Sequence, residues 1–334
     1  MVHDSETQDG GDTGDASSSS GGDSSTESGS DGGPESGTRR DSGSSGGSGG
    51  GSGGCIVGHP DDWDEWPIPN SQADVTAGAP NLESYRDNGD GTVTDLVTCL
   101  MWQQAVPSMK YSSGDALGYC AGLMLAGRSD WRLPSEAELF SLVDFGQQSP
   151  SISATAFPSA PANWFWSSTP VAATTDVWSV NFGYGYANYK VEAYTPSVRC
   201  VRSTGIDGPT GHYTIGAGAS AGTVYDTESK LTWQQAAPVT AYLWANAKTY
   251  CTALDLDGAG WRLPTEKELF SLVDRSQTAP PYIDSTVFPG TPPNYFWSST
   301  LAASSASYAW SVDFSTGQTY DFDMSPVGNV RCVR

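Results

Sequence analysis

The chain has 334 residues, with 38 acidic and 16 basic side chains, and its formal net charge at pH 7 is −22. Nucleic acids and anionic membranes are polyanions, so a chain this acidic is not expected to bind either of them. The sequence also has no run of the roughly 20 apolar residues that a membrane-spanning helix requires, so we expect no direct membrane span.

The first segment, residues 1–54, is composed mainly of Ser, Gly, Asp, Glu and Thr and has almost no apolar residue. Such a segment cannot bury enough apolar surface to offset the entropy lost on ordering, so we predict a disordered, acidic Ser/Gly-rich spacer. Because the chain opens within low-complexity sequence, we expect an export signal or an anchor upstream of it.

Most of the remaining sequence occurs twice. Residues 131–144 return as residues 261–274, and residues 198–202 return as residues 330–334. The offset of about 130 residues is too long for a solenoid repeat and is the length of a complete domain. We therefore predict two tandem modules, residues 79–202 and 211–334.

The chain has six cysteines, which is typical of a protein from an oxidising compartment. Cys120 and Cys200 occupy the same places in the first copy as Cys251 and Cys332 occupy in the second. The simplest pairing is one disulfide within each module, Cys120–Cys200 and Cys251–Cys332.

The two other cysteines, Cys55 and Cys99, lie at the front of the first module. We predict that they form a third disulfide, which would pin the end of the spacer to the first module. The alternative is that Cys55 is a lipidated N-terminus, although no apolar segment precedes it.

Each module is predicted to open with a β-hairpin followed by a helix. In the first copy, residues 86–95 contain Asn-Gly and Asp-Gly pairs, which tolerate the positive φ of a tight turn. Apolar residues at helical spacing then predict helices over residues 113–123 and 242–254.

A second helix is predicted directly after the Trp-Arg-Leu-Pro segment of each module. Ser135 with Glu138, and Thr265 with Glu268, have the spacing of a capping box. Short segments follow in which aromatic or β-branched residues alternate with small polar ones, which predicts strands. The resulting fold class is α+β, with two helices and a small antiparallel sheet in each module. The predicted strands are residues 164–167, 177–182 and 197–201, and residues 295–298, 308–314 and 329–333 in the second copy.

The residues that commonly perform catalysis are sparse. The three histidines are His3, His59 and His212, and none of them belongs to a repeated motif, so we predict no enzyme, no catalytic residue and no cofactor. We also predict no metal site, while weak Ca²⁺ binding by the acidic surface stays open. The hairpin from Asp87 to Asp95 lacks the spacing of an EF-hand, and we interpret it as a turn.

The two copies differ most in the segment that precedes the last predicted strand. This segment is rich in Tyr, Asn, Ser and Gly, the composition of a recognition surface, because tyrosine provides a large contact area at little entropic cost. The alternative is a solvated hairpin whose tyrosines flank the core. The candidate ligand-binding residues are Asn181, Tyr184, Tyr186, Asn188, Tyr189 and Tyr194 in the first copy, and Asp313, Gln318, Tyr320, Asp321 and Asp323 in the second.

Together, the Gly-Asp-Gly-Thr-Val-Thr-Asp hairpin, Leu-Met-Trp-Gln, Trp-Arg-Leu-Pro-Ser-Glu-Ala-Glu-Leu, Phe-Trp-Ser-Ser-Thr and Val-Arg-Cys-Val-Arg motifs resemble the C-terminal domain family of the Legionella collagen-like adhesin. The resemblance covers both modules and implies a C-type-lectin-like fold. The adhesin binds sulfated glycosaminoglycans and forms trimers through a collagen-like stalk, whereas residues 1–54 have no Gly-X-Y period.

The resemblance implies an extracellular or bacterial cell-surface protein that binds a glycan or a protein and acts in adhesion. Tandem modules would then add avidity. One alternative is a structural surface protein whose modules have no small ligand. Another is a variable binding protein of the kind made by diversity-generating retroelements.

Overall fold

The computed structural model describes residues 68–190, 195–202 and 212–334. Both modules lie within a single compact unit. The predicted spacer, Cys55 and Tyr194 lie outside the described residues.

The first module follows a short helix, α1 (Gln72–Thr76). Its strands form two antiparallel sheets, ordered β1-β2-β3-β7 and β4-β5-β6, where one sheet was predicted. The predicted hairpin is present, since β1 and β2 pair across the Asn-Gly and Asp-Gly turn. The elements are β1 (Tyr85–Asp87), β2 (Thr92–Asp95), β3 (Met101–Gln103), α2 (Ser113–Ala121), α3 (Glu136–Ser141), β4 (Trp164–Pro170), β5 (Val177–Asn181), β6 (Ala187–Lys190) and β7 (Val201–Arg202).

The second module repeats this order. Its sheets are β10-β9-β8, β12-β13-β14 and the two-stranded β11-β15. The elements are β8 (Tyr213–Ile215), β9 (Thr223–Asp226), β10 (Thr232–Gln234), β11 (Tyr242–Leu243), α4 (Trp244–Thr252), α5 (Glu266–Phe270), β12 (Tyr295–Ala302), β13 (Ser305–Asp313), β14 (Gln318–Asp323) and β15 (Val327–Gly328). The chain is therefore a tandem pair of mixed α+β domains, as predicted.

The structure corrects several of the predicted boundaries. The strand predicted over residues 329–333 is replaced by isolated bridges at Asn329 and Val333, after β15. The helix predicted from residue 242 begins at Trp244, because Tyr242 and Leu243 instead pair with β15. The strand predicted over residues 197–201 is reduced to β7 and an isolated bridge between Phe165 and Ser197.

Both predicted capping boxes are present. The Ser135 hydroxyl accepts from the Glu138 backbone N–H, and the Glu138 carboxylate accepts from the Ser135 N–H at 2.8 Å. Thr265 and Glu268 make the same pair of bonds. Each box satisfies backbone donors that the first turn of a helix otherwise leaves without partners.

The two predicted intramodule disulfides are present. Cys120 bonds Cys200, and Cys251 bonds Cys332, closing loops of 80 and 81 residues. Each bridge joins the first long helix of its module to the segment at the end of that module. Cys99 is also disulfide-bonded, but its predicted partner lies outside the described residues.

Four tryptophans of the first module lie in the core: Trp102, Trp131, Trp166 and Trp178 are at most 3% exposed. The largest cluster of buried apolar residues includes side chains from both modules. The modules therefore share a hydrophobic core and are not independent domains joined by a linker.

A segment before the first module is fixed to the second module. Asn70 Oδ1 accepts from the Thr265 hydroxyl, and Asp74 Oδ1 accepts from the Thr300 hydroxyl, both at 2.8 Å. The buried Lys267 ammonium donates to the Pro69 carbonyl at 2.9 Å. The predicted first module begins at residue 79, and no sequence motif indicates that the preceding segment contacts the second module.

Candidate functional site

The two divergent segments meet at a seam between the modules. β6 and β14 are the edge strands of their sheets and lie beside each other. The Ala187 N–H donates to the Thr319 hydroxyl at 2.8 Å, and the Tyr186 hydroxyl donates to Asp321 Oδ1 at 2.5 Å. The segments therefore form one composite surface.

Equivalent positions face each other across this seam. Phe140 and Phe270 occupy the same place in their modules, and their ring centroids lie 4.1 Å apart. Phe145 packs edge-on against Trp310 at 4.9 Å. Reciprocal contacts of this kind are those of an isologous dimer, here formed within one chain.

Arg275 occupies the place in the second module that Phe145 has in the first. Its guanidinium lies 3.4 Å from the ring centroid of Trp178 and donates to both carboxylate oxygens of Glu136, at 2.6 and 2.9 Å. It also donates to the Gly317 carbonyl at 2.7 Å. A Cβ at Gly317 would collide with this guanidinium, so glycine is required there.

The two equivalent glutamates, Glu136 and Glu266, therefore have different surroundings. Glu266 is fully buried, and within the described ranges no cation pairs with it. Burial raises the pKa of Glu266 well above its ordinary value. Burial also raises the pKa of Glu136, to about 7, against the opposing charge of Arg275.

Glu266→Gln should stabilise the protein more at pH 8 than at pH 5. The folded state holds a proton on Glu266 that the unfolded chain releases above a pH of 4.5, the ordinary pKa of the group. The stability contributed by this residue is therefore complete below that pH and is lost as the pH rises toward the folded-state pKa. Glutamine does not ionise, so we expect a gain of about 1 kcal/mol or more at pH 8, measured by urea denaturation at both pH values.

Glu136→Gln is the matched control for that substitution. It removes the charged partner of Arg275, which favours the ionised form of Glu136, so the gain at pH 8 should be smaller than that of Glu266→Gln or absent. Equal changes in the free energy of unfolding for the two substitutions would contradict the assignment of Glu266 as the glutamate that has no cationic partner among the described residues.

Two of the predicted ligand-binding residues stabilise turns. Asn181 Oδ1 accepts from the Gly183 N–H at 2.6 Å, and Asp313 Oδ1 accepts from the Ser315 N–H at 2.8 Å. These are equivalent positions, and each holds the turn that leads into the edge strand of its sheet. Their polar atoms are therefore already engaged by the backbone.

Some of the predicted residues of β14 bond other side chains of the protein, and others are exposed to solvent. Gln318 is buried and accepts a hydrogen bond from the Tyr320 hydroxyl. Asp323 is exposed, and bonds from Ser325 lower the pKa of its carboxyl. Asp321 is half-buried and bonds Tyr186 across the seam.

Three predicted residues of the first module remain accessible beside the seam. Tyr184 is 56% exposed and Tyr189 is 42% exposed, whereas Asn188 is half-buried. The Tyr184 ring lies 6.0 Å from that of Tyr186, and the Tyr189 ring packs edge-on against Trp178. The two exposed rings are thus supported by neighbouring aromatic side chains.

A small, shallow cleft opens at the seam beside Tyr184. Gln148 and Tyr184 line it from the first module, and Trp310, Asp321 and the turn at residues 302–304 line it from the second. Neither Gln148 nor the turn is among the predicted ligand-binding residues, because each lies far along the chain from the divergent segments and has no motif of its own.

Comparison with protein families identifies the modules. Residues 91–202 and residues 222–334 each match the family described as the Lcl C-terminal domain, and together they cover more than half of the chain. The chain belongs to the Lcl C-terminal domain family. This confirms the resemblance and the presence of two tandem copies. A comparison with curated proteins found no match.

The shared motifs of the Lcl C-terminal domains have structural roles here. Arg132 of the Trp-Arg-Leu-Pro segment binds both oxygens of Glu138, at 2.7 and 2.5 Å. Arg199 of Val-Arg-Cys-Val-Arg is fully buried and donates to the carbonyls of Gln103 and Gln104 at 2.6 and 2.7 Å. The motifs that recur in both modules therefore build the fold, and the divergent segments form the surface beside the seam.

Among the described residues of these Lcl C-terminal domains, no group of three metal-ligating side chains lies at the seam. The hairpin carboxylates considered for Ca²⁺ bind backbone donors, with Asp87 accepting from Gly89 and Asp90 from Thr92. Among the described residues, the one grouping of three metal-ligating side chains lies at the start of the second module. None of the described helices is long and apolar enough to cross a membrane.

Proposed function

We propose that the chain is an extracellular or cell-surface adhesion protein that binds a glycan or a protein at the seam between its two modules. Membership of the Lcl C-terminal domain family supports an adhesin-like surface role. The disulfides of both modules are compatible with an oxidising, extracellular location. We further infer that the two modules have the C-type-lectin-like fold that the family resemblance implies.

The observation that supports this site is the adjacency of the two divergent segments. Tyr184 is exposed and lines the cleft, and Asp321 supplies a carboxylate to the same cleft from the other module. Tyr189 is exposed on β6, the edge strand at the seam. An exposed tyrosine supported by packed aromatic rings provides contact area without a large loss of side-chain entropy on binding. A ligand here would contact both modules at once.

We propose binding and not catalysis at this site. Asp321 is the carboxylate of the cleft, and its side chain already accepts from the Tyr186 hydroxyl. Tyr186 is an unsuitable base or nucleophile, because burial and Asp321 raise its pKa well above the ordinary value for tyrosine. These side chains suit hydrogen bonding and stacking with a ligand.

Changing Tyr184 and Tyr189 to alanine should weaken ligand binding by more than tenfold. The test is a glycan array and a surface-protein pull-down with the full chain, each performed with Ca²⁺ and then with a chelator. Loss of two exposed aromatic contacts in the centre of a binding surface commonly costs more than 1.4 kcal/mol, which is a factor of ten in affinity.

Tyr225→Ala is the matched control, because Tyr225 is also an exposed tyrosine (40%) but lies on β9, in a different sheet from the seam strands. This variant should bind as the wild type does. Equal losses in Tyr184→Ala and Tyr225→Ala, or no binding in either condition, would contradict the proposed surface.

A further inference from the structure

One cluster of side chains outside the seam has the composition of a metal site. His212 Nδ1 lies 2.8 Å from Asp226 Oδ1 and 3.8 Å from Glu228 Oε2. The three ligand atoms all lie within 4.8 Å of one another. His212 immediately precedes β8, Asp226 ends β9, and Glu228 lies in the turn that follows.

The spacing of these atoms suits a small divalent ion. A tetrahedral Zn²⁺ bound at about 2.0–2.2 Å by nitrogen and oxygen needs ligand atoms about 3.3 Å apart, between the two distances above. One imidazole and two carboxylates also neutralise the charge of the ion. The nitrogen donor favours Zn²⁺ over Ca²⁺, which prefers oxygen ligands.

The central carboxylate is held in position by the turn. Asp226 Oδ1 accepts from the Glu228 N–H at 2.9 Å, and Asp226 Oδ2 accepts from the Ser229 hydroxyl at 2.6 Å. The His212 carbonyl accepts from the Thr227 N–H at 2.9 Å, which fixes the histidine backbone to the same turn. Such bonds around the ligands orient them for a metal.

The first module contains the same turn with different residues around its aspartate. Its Asp95 accepts from the Val97 N–H at 2.8 Å, as Asp226 accepts from Glu228. Ser84 stands at the place of His212, since its carbonyl accepts from the equivalent backbone N–H. The histidine and the glutamate are therefore specific to the second module.

The side chains are also accessible to an ion and to a water ligand. Asp226 is buried, whereas the side chains of His212 and Glu228 are 19% and 13% exposed. Asp284 adds a further negative charge near the imidazole. The local field therefore favours a cation.

We propose that His212, Asp226 and Glu228 bind a divalent transition-metal ion of the Zn²⁺ class, at one site per chain and in the second module only. This site is separate from the surface at the seam and does not depend on the proposed function.

Calorimetric titration of Zn²⁺ into the metal-free full chain tests the proposal. We expect one Zn²⁺ per chain and a higher melting temperature in its presence, and no binding of Ca²⁺ at this site. His212→Ser and Glu228→Val introduce the residues of the first module, and each should weaken Zn²⁺ binding by at least tenfold. Glu228→Gln retains the side-chain volume and should have the same effect.

His59→Ala is the control for histidine content and should bind Zn²⁺ as the wild type does. Melting temperatures in chelator establish that every variant is folded before titration. The proposal is overturned if the wild type takes up no stoichiometric Zn²⁺, or if His212→Ser binds it as tightly as the wild type.

Discussion

Arg275→Ala should lower the free energy of unfolding by about 3–5 kcal/mol, the usual cost of removing one partner of a buried ion pair. The Arg275 side chain is 15% exposed and that of Glu136 is 3% exposed, so solvent cannot replace the guanidinium that binds the carboxylate. The substitution also removes the stacking of Arg275 on Trp178 and leaves the Gly317 carbonyl without this donor. The loss should appear in urea denaturation at pH 7.5.

Arg202→Ala is the matched control for Arg275→Ala. Arg202 also binds a carboxylate at 2.6 Å, but the side chain of that partner, Asp130, is 55% exposed. An exposed pair contributes about 0–1 kcal/mol, so this variant should remain close to the wild type.

A double-mutant cycle with Glu136→Gln measures the pair itself. The two substitutions together should cost less than the sum of their separate effects, because the double variant has no buried charge left without its partner. A loss below 1 kcal/mol for Arg275→Ala, or additive effects in the cycle, would contradict the interface described here.

The fold within each module was predictable because its signals are local or repeated. Ser135 and Glu138 are three residues apart and define a capping box wherever a helix begins. The pairing of Cys120 with Cys200 followed from the second copy, since Cys251 and Cys332 stand at equivalent places and are bonded in the same way. Duplication removed most of the alternative pairings.

The contact between the modules was not predictable from these signals. Phe145 and Arg275 hold the same position in the two copies, and neither the position nor the residue type shows which module it will pack against. Asn70 and Asp74 bind Thr265 and Thr300 across about 200 residues of chain, and no periodicity or motif connects such distant residues.

The arrangement of the candidate site was not predictable for the same reason. The divergence of the two segments was interpreted as ligand recognition, yet Tyr186 and Asp321 bond each other across the seam. Some of that divergence therefore reflects adaptation of each module to its neighbour. Tyr184 and Tyr189 are the predicted tyrosines of the described residues whose exposure best fits recognition.

Removing the Cys251–Cys332 disulfide by changing both cysteines to alanine should cost about 4 kcal/mol. The bond closes a loop of 81 residues, and cross-linking a loop of this length lowers the entropy of the unfolded chain. The bond also fixes α4 to the end of the chain, where Val333 bridges both Trp233 and Arg262. Guanidinium denaturation without a reducing agent measures the loss.

The matched comparison is the double alanine variant of Cys120 and Cys200. Its loop of 80 residues is nearly identical in length, so the entropy argument predicts nearly the same loss for both variants. All four sulfurs belong to fully buried residues, so differences in solvent exposure cannot separate the two pairs. Losses that differ by more than about 2 kcal/mol would show that loop entropy is not the main contribution of these bonds. In that case the local packing of each bridge, and not the length of its loop, would determine how much it stabilises its module.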